Sequence, residues 1–281
     1  MVVALFGAAG KMGTRIGEKL RDDPQYQLLY LEAGDQGQAR LRARGLTPAS
    51  EDEAARLADV VILAVPDTAI RAVAARVVPR LASGAMVICL DPAAPFGGEL
   101  PARADVSYFV THPCHPPVVN DEVDPAARRD LFGGVAKQHI VCALMQGSEE
   151  DYQRGEALAR QMFAPVMRAH RLTVEQMAIL EPALAETVVL TCMVVIREAL
   201  DEAVRRGVPE EAARDFVLGH LGVDIGILFG FIDARVSDGA RMAVERAREH
   251  IFQPDWRRVF EPENVLRQVR AITQARSGGR S

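Results

Sequence analysis

Residues 2–20 read VVALFGAAGKMGTRIGEKL, and this stretch decides the fold. Residues 2–6 form a short apolar run, and Gly7, Gly10 and Gly13 follow at G-x-x-G-x-x-G spacing before a helical pattern starts near Lys11. Residues without a Cβ let the backbone turn tightly and approach a pyrophosphate, whose charge is met by the first N–H groups and the positive end of the helix dipole. The spacing differs from G-x-G-x-x-G, but the chemistry it serves is the same. Gly7, Ala9, Gly10, Lys11, Met12 and Gly13 are therefore candidate cofactor contacts. A glycine-rich turn between strand and helix also occurs without a ligand, so the next strand carries weight. Residues 26–31 (YQLLYL) are apolar and lead into Glu32, 19 residues after Gly13, near the interval of about 20 at which such folds place an acid on the adenosine ribose. A carboxylate there accepts from both ribose hydroxyls and repels a 2'-phosphate, which favours NAD over NADP. Asp35 is the second candidate for that role.

Working outward, residues 59–65 (DVVILAV) and 85–90 (AMVICL) read as central strands that stop at Pro66-Asp67 and Asp91-Pro92. Residues 108–110 and 138–144 read as further strands, with a helix over 149–162. Strands alternating with helices predict parallel βαβ units in a doubly wound sheet, with the ligand crevice beyond the carboxyl ends of the strands. Asp67, Thr68 and the loop 91–96 should then approach the cofactor. From Thr173 the character changes. Thr-Val-Glu-Gln reads as a capping box, the helical pattern runs to Arg206 and Gly207 closes it, and no strand pattern follows. The expected architecture is α/β: an N-terminal Rossmann-type doubly wound domain over residues 1–170 and an all-α domain over 171–281. Residues 187–196 (TVVLTCMVVI) are apolar on every side, which predicts burial all round, at the centre of the helical domain or in a dimer interface. A homodimer with interlocked helical domains is the expected assembly.

The 281 residues, 49% of them hydrophobic, are enough for a sizeable core and two domains. A formal charge of −5 with no basic run argues against a nucleic-acid or anionic-membrane surface. Cys89, Cys114, Cys142 and Cys192 lie far apart, without a C-x-x-C pair, and suit a reducing compartment. The opening strand leaves no place for a signal peptide, and residues 187–196 are too short an uncharged stretch to span a bilayer. These readings place the protein in the cytoplasm.

Two stretches carry chemistry. In residues 111–122 (THPCHPPVVNDE), His112 and His115 stand three apart among Pro113, Pro116 and Pro117, which fix φ and hold the imidazoles in a preformed loop. Such a loop suits a metal site or a general base. Cys114 has no neighbouring cation to lower its pKa and reads as a packed residue. In residues 179–187 (ILEPALAET), Pro182 should kink the helix beside Glu181 and Glu186, two carboxylates in an apolar stretch. Buried carboxylates are costly unless paired, protonated or metal-bound, whereas solvated glutamates near a helix start cost nothing. Five apart, they would point roughly 140° from each other on a straight α-helix.

GAAGKMG, THPCHPP, ILEPALAET and the later GHLGVDIGILFG together resemble the D-apionate oxidoisomerase group, relatives of the 6-phosphogluconate and β-hydroxyacid dehydrogenases. In that superfamily the comparable helix carries a catalytic lysine and, four residues on, an asparagine; alignment through Glu198-Ala199 puts these near Glu181-Pro182 and on Glu186. The only lysines here are Lys11, Lys19 and Lys137, so a lysine-based mechanism is closed to the second domain and histidine or glutamate must move the proton. The resemblance implies NAD-dependent oxidation of D-apionate at C2, then an acyloin-type shift of a hydroxymethyl group from C3 to C2, giving 3-oxo-isoapionate. It implies His112 and Glu181 as ligands of a divalent ion, Zn or Mg, and His115 and Glu186 as proton-transfer groups. His220 in GHLGVD could reach the site but reads as structural. The THPCHPP loop also resembles the histidine-proline turn of prephenate dehydrogenases, which keeps a simple NAD-dependent dehydrogenase of a small hydroxy acid as the alternative. A non-enzymatic NAD-binding sensor is a third reading.

Overall fold

The structure, a computed structural model, describes residues 1–274. The last residues of the expected helical domain, 275–281, lie outside the described residues. A seven-stranded sheet runs in the order β2-β1-β3-β4-β5-β6-β7, built from β1 (Val2–Phe6), β2 (Gln27–Leu31), β3 (Val60–Leu63), β4 (Met86–Cys89), β5 (Ser107–Pro113), β6 (Gln138–Gln146) and β7 (Val166–Arg171). The first five strands are parallel, with β1 between β2 and β3. The helices connecting or flanking them are α1 (Lys11–Leu20), α2 (Gly34–Ala43), α3 (Glu51–Leu57), α4 (Asp67–Val77), α5 (Ala93–Phe96), α6 (Pro125–Arg129) and α7 (Glu149–Met162).

Alternation along β1 explains the two-sided core. Ala4 and Phe6 pack into one apolar cluster with Val61, Leu63, Ile70 and Val87, while Val3 and Leu5 pack into another with Ile16, Leu20, Ile62, Ile88 and Phe109. Both faces are covered, so β1, β3 and β4 are apolar at every position, as strands of a parallel sheet must be. Each such buried aliphatic side chain is worth about 1.5–3 kcal/mol relative to exposure.

Two expectations are corrected at the far edge. β6 runs antiparallel to β5, not parallel. The segment between them holds only the short α6 and no crossover helix, so the chain turns back instead of crossing over. β7, which had not been expected, pairs parallel with β6 as an edge strand. Its sequence VMRAHR is largely exposed, and its charged and polar residues hide the strand pattern while protecting the edge.

The capping box at Thr173 is present: its Oγ1 accepts from the Gln176 N–H (3.1 Å) and the Gln176 Oε1 accepts from the Thr173 N–H (2.9 Å). It opens α8 (Val174–Ala178), which continues through a π-helical stretch (Ile179–Leu190) into α9 (Thr191–Arg205). The kink expected at Pro182 is thus replaced by a wider helix, which accommodates a residue with no N–H to give to the ladder. In an i→i+5 helix five residues close about one turn, so the 140° separation expected between Glu181 and Glu186 does not apply.

The chain divides into two compact units, Met1–Pro182 with the segment from Val265 onward, and Ala183–Asn264. The change of pattern at residues 170/171 lies just ahead of the long helix in which this division falls. α12 (Pro262–Thr273) buries Val265 and Val269 in the first unit. In the second, α9, α10 (Glu210–Leu228) and α11 (Asp238–Ile251) bury few side chains, Leu200 and Ala213 among them. Residues 187–196 are not buried all round: Val189, Leu190 and Val194 are 48%, 57% and 47% exposed. A small helical unit has few neighbours to cover such a stretch. By length and composition alone the helix Val174–Arg205 could cross a membrane.

Candidate functional site

The glycine loop is built by close approach. Gly7 has φ +76°, and a Cβ there would lie 2.2 Å from the Ala64 carbonyl oxygen; a Cβ on Gly13 would lie 2.1 Å from the Gly7 carbonyl oxygen. The loop can therefore wrap tightly against β3 and feed straight into α1. Gly10 is the N-cap residue and no side chain caps this helix, so the N–H groups of Lys11, Met12 and Gly13 face outward at its positive end. The Ala9 N–H is already engaged: it donates to Glu32 Oε2 at 2.7 Å, and the Ala33 N–H donates to Glu32 Oε1 at 3.2 Å. Glu32 thus braces the loop and also lines a cavity with Gly7, Ala33, Gln38 and Arg76. Arg76 in that cavity is paired with Glu51 at 2.7 Å. Asp35 lies in the first turn of α2.

A second cleft, of about 360 Å³, is bounded by Gly10, Lys11 and Met12 on one side and by Asp67, Asp91 and His112 on the other. Asp67 is the first residue of α4, and burial, reinforced by Asp91, pushes its pKa up to about 6. Asp91 follows β4; its Oδ1 accepts from the Ala93 N–H at 2.7 Å. Burial also raises its pKa, with Glu181 adding to the effect and the Ala93 hydrogen bond and His112 opposing it.

His112 is held by β5, which extends to Pro113 and pairs His112 with Val141, so strand pairing rather than the prolines fixes it. Its Nδ1 lies 2.7 Å from the Leu90 carbonyl oxygen, an acceptor only, which makes Nδ1 the donor and leaves Nε2 toward Glu181 Oε2 at 3.5 Å. Asp91 Oδ2 is 4.0 Å from Nδ1. One ligand atom from each of Asp91, His112 and Glu181 lies within 4.8 Å of the others, all three side chains being partly buried. Two carboxylates and an imidazole lone pair that converge in this way form a donor set that could hold a divalent ion. Asp91 is the member that sequence reasoning missed as a ligand. Its signal was its position at a strand end, read there as cofactor contact alone.

His115 stands just beyond β5 at φ +61°, its Nδ1 2.8 Å from the Phe132 carbonyl oxygen and its ring at 6.1 Å and 84° to that of His112. The two histidines therefore come together. Glu186 belongs to the second compact unit and follows Glu181 along the π-helical stretch. Cys114, expected to be packed, is exposed because it follows the strand end; desolvation at its sulfur and then Glu181 still raise its thiol pKa. His220 is exposed and engaged within α10, its Nδ1 2.8 Å from the Phe216 carbonyl oxygen and its ring stacked on Phe216 at 4.0 Å.

A family profile described as phosphogluconate dehydrogenase (decarboxylating) C-term matches residues 120–273, and one described as NADP oxidoreductase coenzyme F420-dependent matches residues 2–94. The D-apionate oxidoisomerase of Rhizobium rhizogenes is 52% identical, the match covering 97% of this chain and 99% of that protein. The D-apionate oxidoisomerase of Cupriavidus necator is 50% identical over 96% and 99%. Among solved structures, a semialdehyde dehydrogenase NAD-binding protein from Cupriavidus necator in complex with calcium and NAD has a TM-score of 0.94 at 50% identity, covering 97% of this chain and 99% of that one. An NADH-preferring ketol-acid reductoisomerase from an uncultured archaeon, at 17% identity and a TM-score of 0.71 over 96% and 82% of the two chains, shares the fold alone. Matched over nearly its whole length by such relatives, the chain belongs to the D-apionate oxidoisomerase family.

Proposed function

We propose that this protein oxidises D-apionate with NAD and rearranges the product to 3-oxo-isoapionate. The observation that carries this reading is the convergence of Asp91, His112 and Glu181, the first two of which line a cleft shared with the glycine loop. The names and bound groups of its relatives support it. The N–H groups of Lys11, Met12 and Gly13 receive the pyrophosphate, and Glu32 lies on the adenosine side, where its charge selects NAD. Bound NAD supplies the hydride acceptor for C2. Asp91, His112 and Glu181 would hold a divalent ion, which when bound would supply Lewis acidity for the second stage. The two-to-one ratio of carboxylate to imidazole suits a hard ion of the calcium or magnesium kind at least as well as zinc.

His115, whose Nε2 carries the lone pair when Nδ1 donates to Phe132, takes the proton of the reacting hydroxyl. In the rearrangement the tertiary hydroxyl at C3 loses its proton, the C3–C4 hydroxymethyl bond migrates to C2, and C3 becomes the new ketone. The balance is D-apionate and NAD⁺ to 3-oxo-isoapionate, NADH and a proton. We further propose that the exposed apolar side chains of the second unit, Val189, Leu190, Phe216 and Leu228 among them, form the contact of a homodimer. The functional test is product analysis by NMR after incubation with D-apionate and NAD. Release of the unrearranged 2-oxo acid would favour a simple dehydrogenase, and no NADH at all would favour a sensor.

A further inference from the structure

The segment between β5 and β6 is gripped by the helix that carries the glycine loop. Arg15 of α1, 8% exposed, donates from Nη1 to the Phe132 carbonyl oxygen at 3.0 Å, and Lys19 Nζ donates to the Gly134 carbonyl oxygen at 2.8 Å. Lys11 Nζ sits 3.6 Å from the centre of the Phe132 ring. Asp130 closes the turn by accepting from the N–H groups of Gly133, Val135 and Ala136 at 2.7, 2.8 and 3.0 Å. The fit round the guanidinium is tight: a Cβ on Gly133, at φ +97°, would lie 2.5 Å from Arg15 Nη2.

The carbonyl that Arg15 holds also holds His115. Phe132 O lies 2.8 Å from His115 Nδ1, and the Phe132 ring packs against the imidazole at 5.2 Å between centroids and 34° between planes. A carbonyl has two lone pairs, so it accepts from both the guanidinium and the imidazole, and the second bond fixes Nδ1 as the protonated nitrogen. His115 also keeps a left-handed backbone that is uncommon outside glycine and persists only where its surroundings hold it.

We infer that Arg15 and Phe132 are positioning residues for His115: through the Phe132 carbonyl and ring they set its tautomer and aim Nε2, and they tie it to the helix that carries the cofactor loop. This rests on the reading of His115 as the proton-transfer group. Both the imidazole and the glycine loop are then referenced to one rigid element, α1, which is what proton and hydride movements on the same substrate require.

The test compares Arg15→Lys, Phe132→Ala and His115→Gln, each alone and the first two also combined with the third. Readouts are steady-state kinetics with D-apionate and NAD, and the ¹⁵N shifts of labelled histidine in the purified full-length protein. Arg15→Lys and Phe132→Ala should each lower kcat by about tenfold or more, within the range of general acid–base contributions, with KM changed by less than about threefold. The His115 Nδ1–H signal should lose its dominance in Arg15→Lys, whereas Phe132→Ala, which keeps the backbone carbonyl, should retain it and lose only the packing that aims the ring. Neither should lower the residual rate of His115→Gln further, since each acts through that residue. Should Arg15→Lys fail to fold, Phe132→Ala, at a half-buried position, carries the same kinetic criteria. Unchanged kcat in both variants, or equal losses in the His115→Gln background, would overturn the inference while leaving His115 in its role. Wild-type turnover by His115→Gln would instead remove the proton-transfer reading, and the inference with it.

Discussion

Glu32 serves two purposes that a single substitution can separate. Its Oε2 braces the glycine loop through the Ala9 N–H, and its charge lines the cavity proposed for the adenosine, beside an arginine paired to Glu51. We expect the wild type to bind NAD at least about tenfold more tightly than NADP, following the carboxylate's place on the ribose, and Glu32→Ala to narrow that gap. Titration of both dinucleotides by fluorescence checks it; an NADP preference in the wild type would show that the carboxylate does not meet the ribose. At the acidic cluster the two stages should come apart. His112→Ala or Glu181→Gln removes one donor of a three-residue set, so rearrangement should slow by several kcal/mol of barrier while hydride transfer suffers less. Offering each variant the 2-oxo intermediate, with metal content measured alongside, distinguishes this from a general loss of substrate binding, in which both stages fall equally with metal retained.

Among the elements, α1 does most to shape the site. Its start is possible because Gly13 has no Cβ to collide with the Gly7 carbonyl, and its side chains Arg15 and Lys19 reach the segment after β5. Gly13→Ala would place a Cβ 2.1 Å from that carbonyl, so the loop must open. The expected result is loss of NAD binding by at least about a hundredfold, or about 3 kcal/mol, with the rest of the sheet intact by circular dichroism. Binding within threefold of wild type would mean that the loop relaxes without cost. The long helix teaches a different lesson. Pro182 was readable as a disturbance, but a proline interrupts the hydrogen-bond ladder without dictating whether the helix bends or widens, and here it widens over Ile179–Leu190.

For the whole molecule, the exposed apolar residues of the second unit set the clearest expectation. Side chains such as Val189, Leu190, Phe216 and Leu228 are exposed in this unit, and the proposed homodimer would cover them. Light scattering at micromolar concentration should give twice the 30.6 kDa chain mass, and Leu190→Asp with Phe216→Asp should shift the protein toward the monomer. A wild type that runs as a 30.6 kDa species would leave this surface without the proposed partner.

Residues 2–20, the position of Glu32 at the end of β2 and the capping box at Thr173 were decided by the sequence alone, because each depends on local chemistry: a missing Cβ, an apolar run closed by a carboxylate, a side chain that caps its own helix. His112 and Glu181 could be singled out for the same reason, as unusual residues in apolar or proline-rich surroundings. What the tertiary structure alone decided depends on residues distant in the chain. The direction of β6 follows from how a segment with only a short helix returns to the sheet, and β7 from an edge whose polar residues conceal its period. Asp91 joins His112 and Glu181 only because the ends of β4 and β5 and the start of the long helix converge. The hold of Arg15 and Phe132 on His115 is of the same kind, since their meeting is set by packing across the sheet and not by any spacing in the chain.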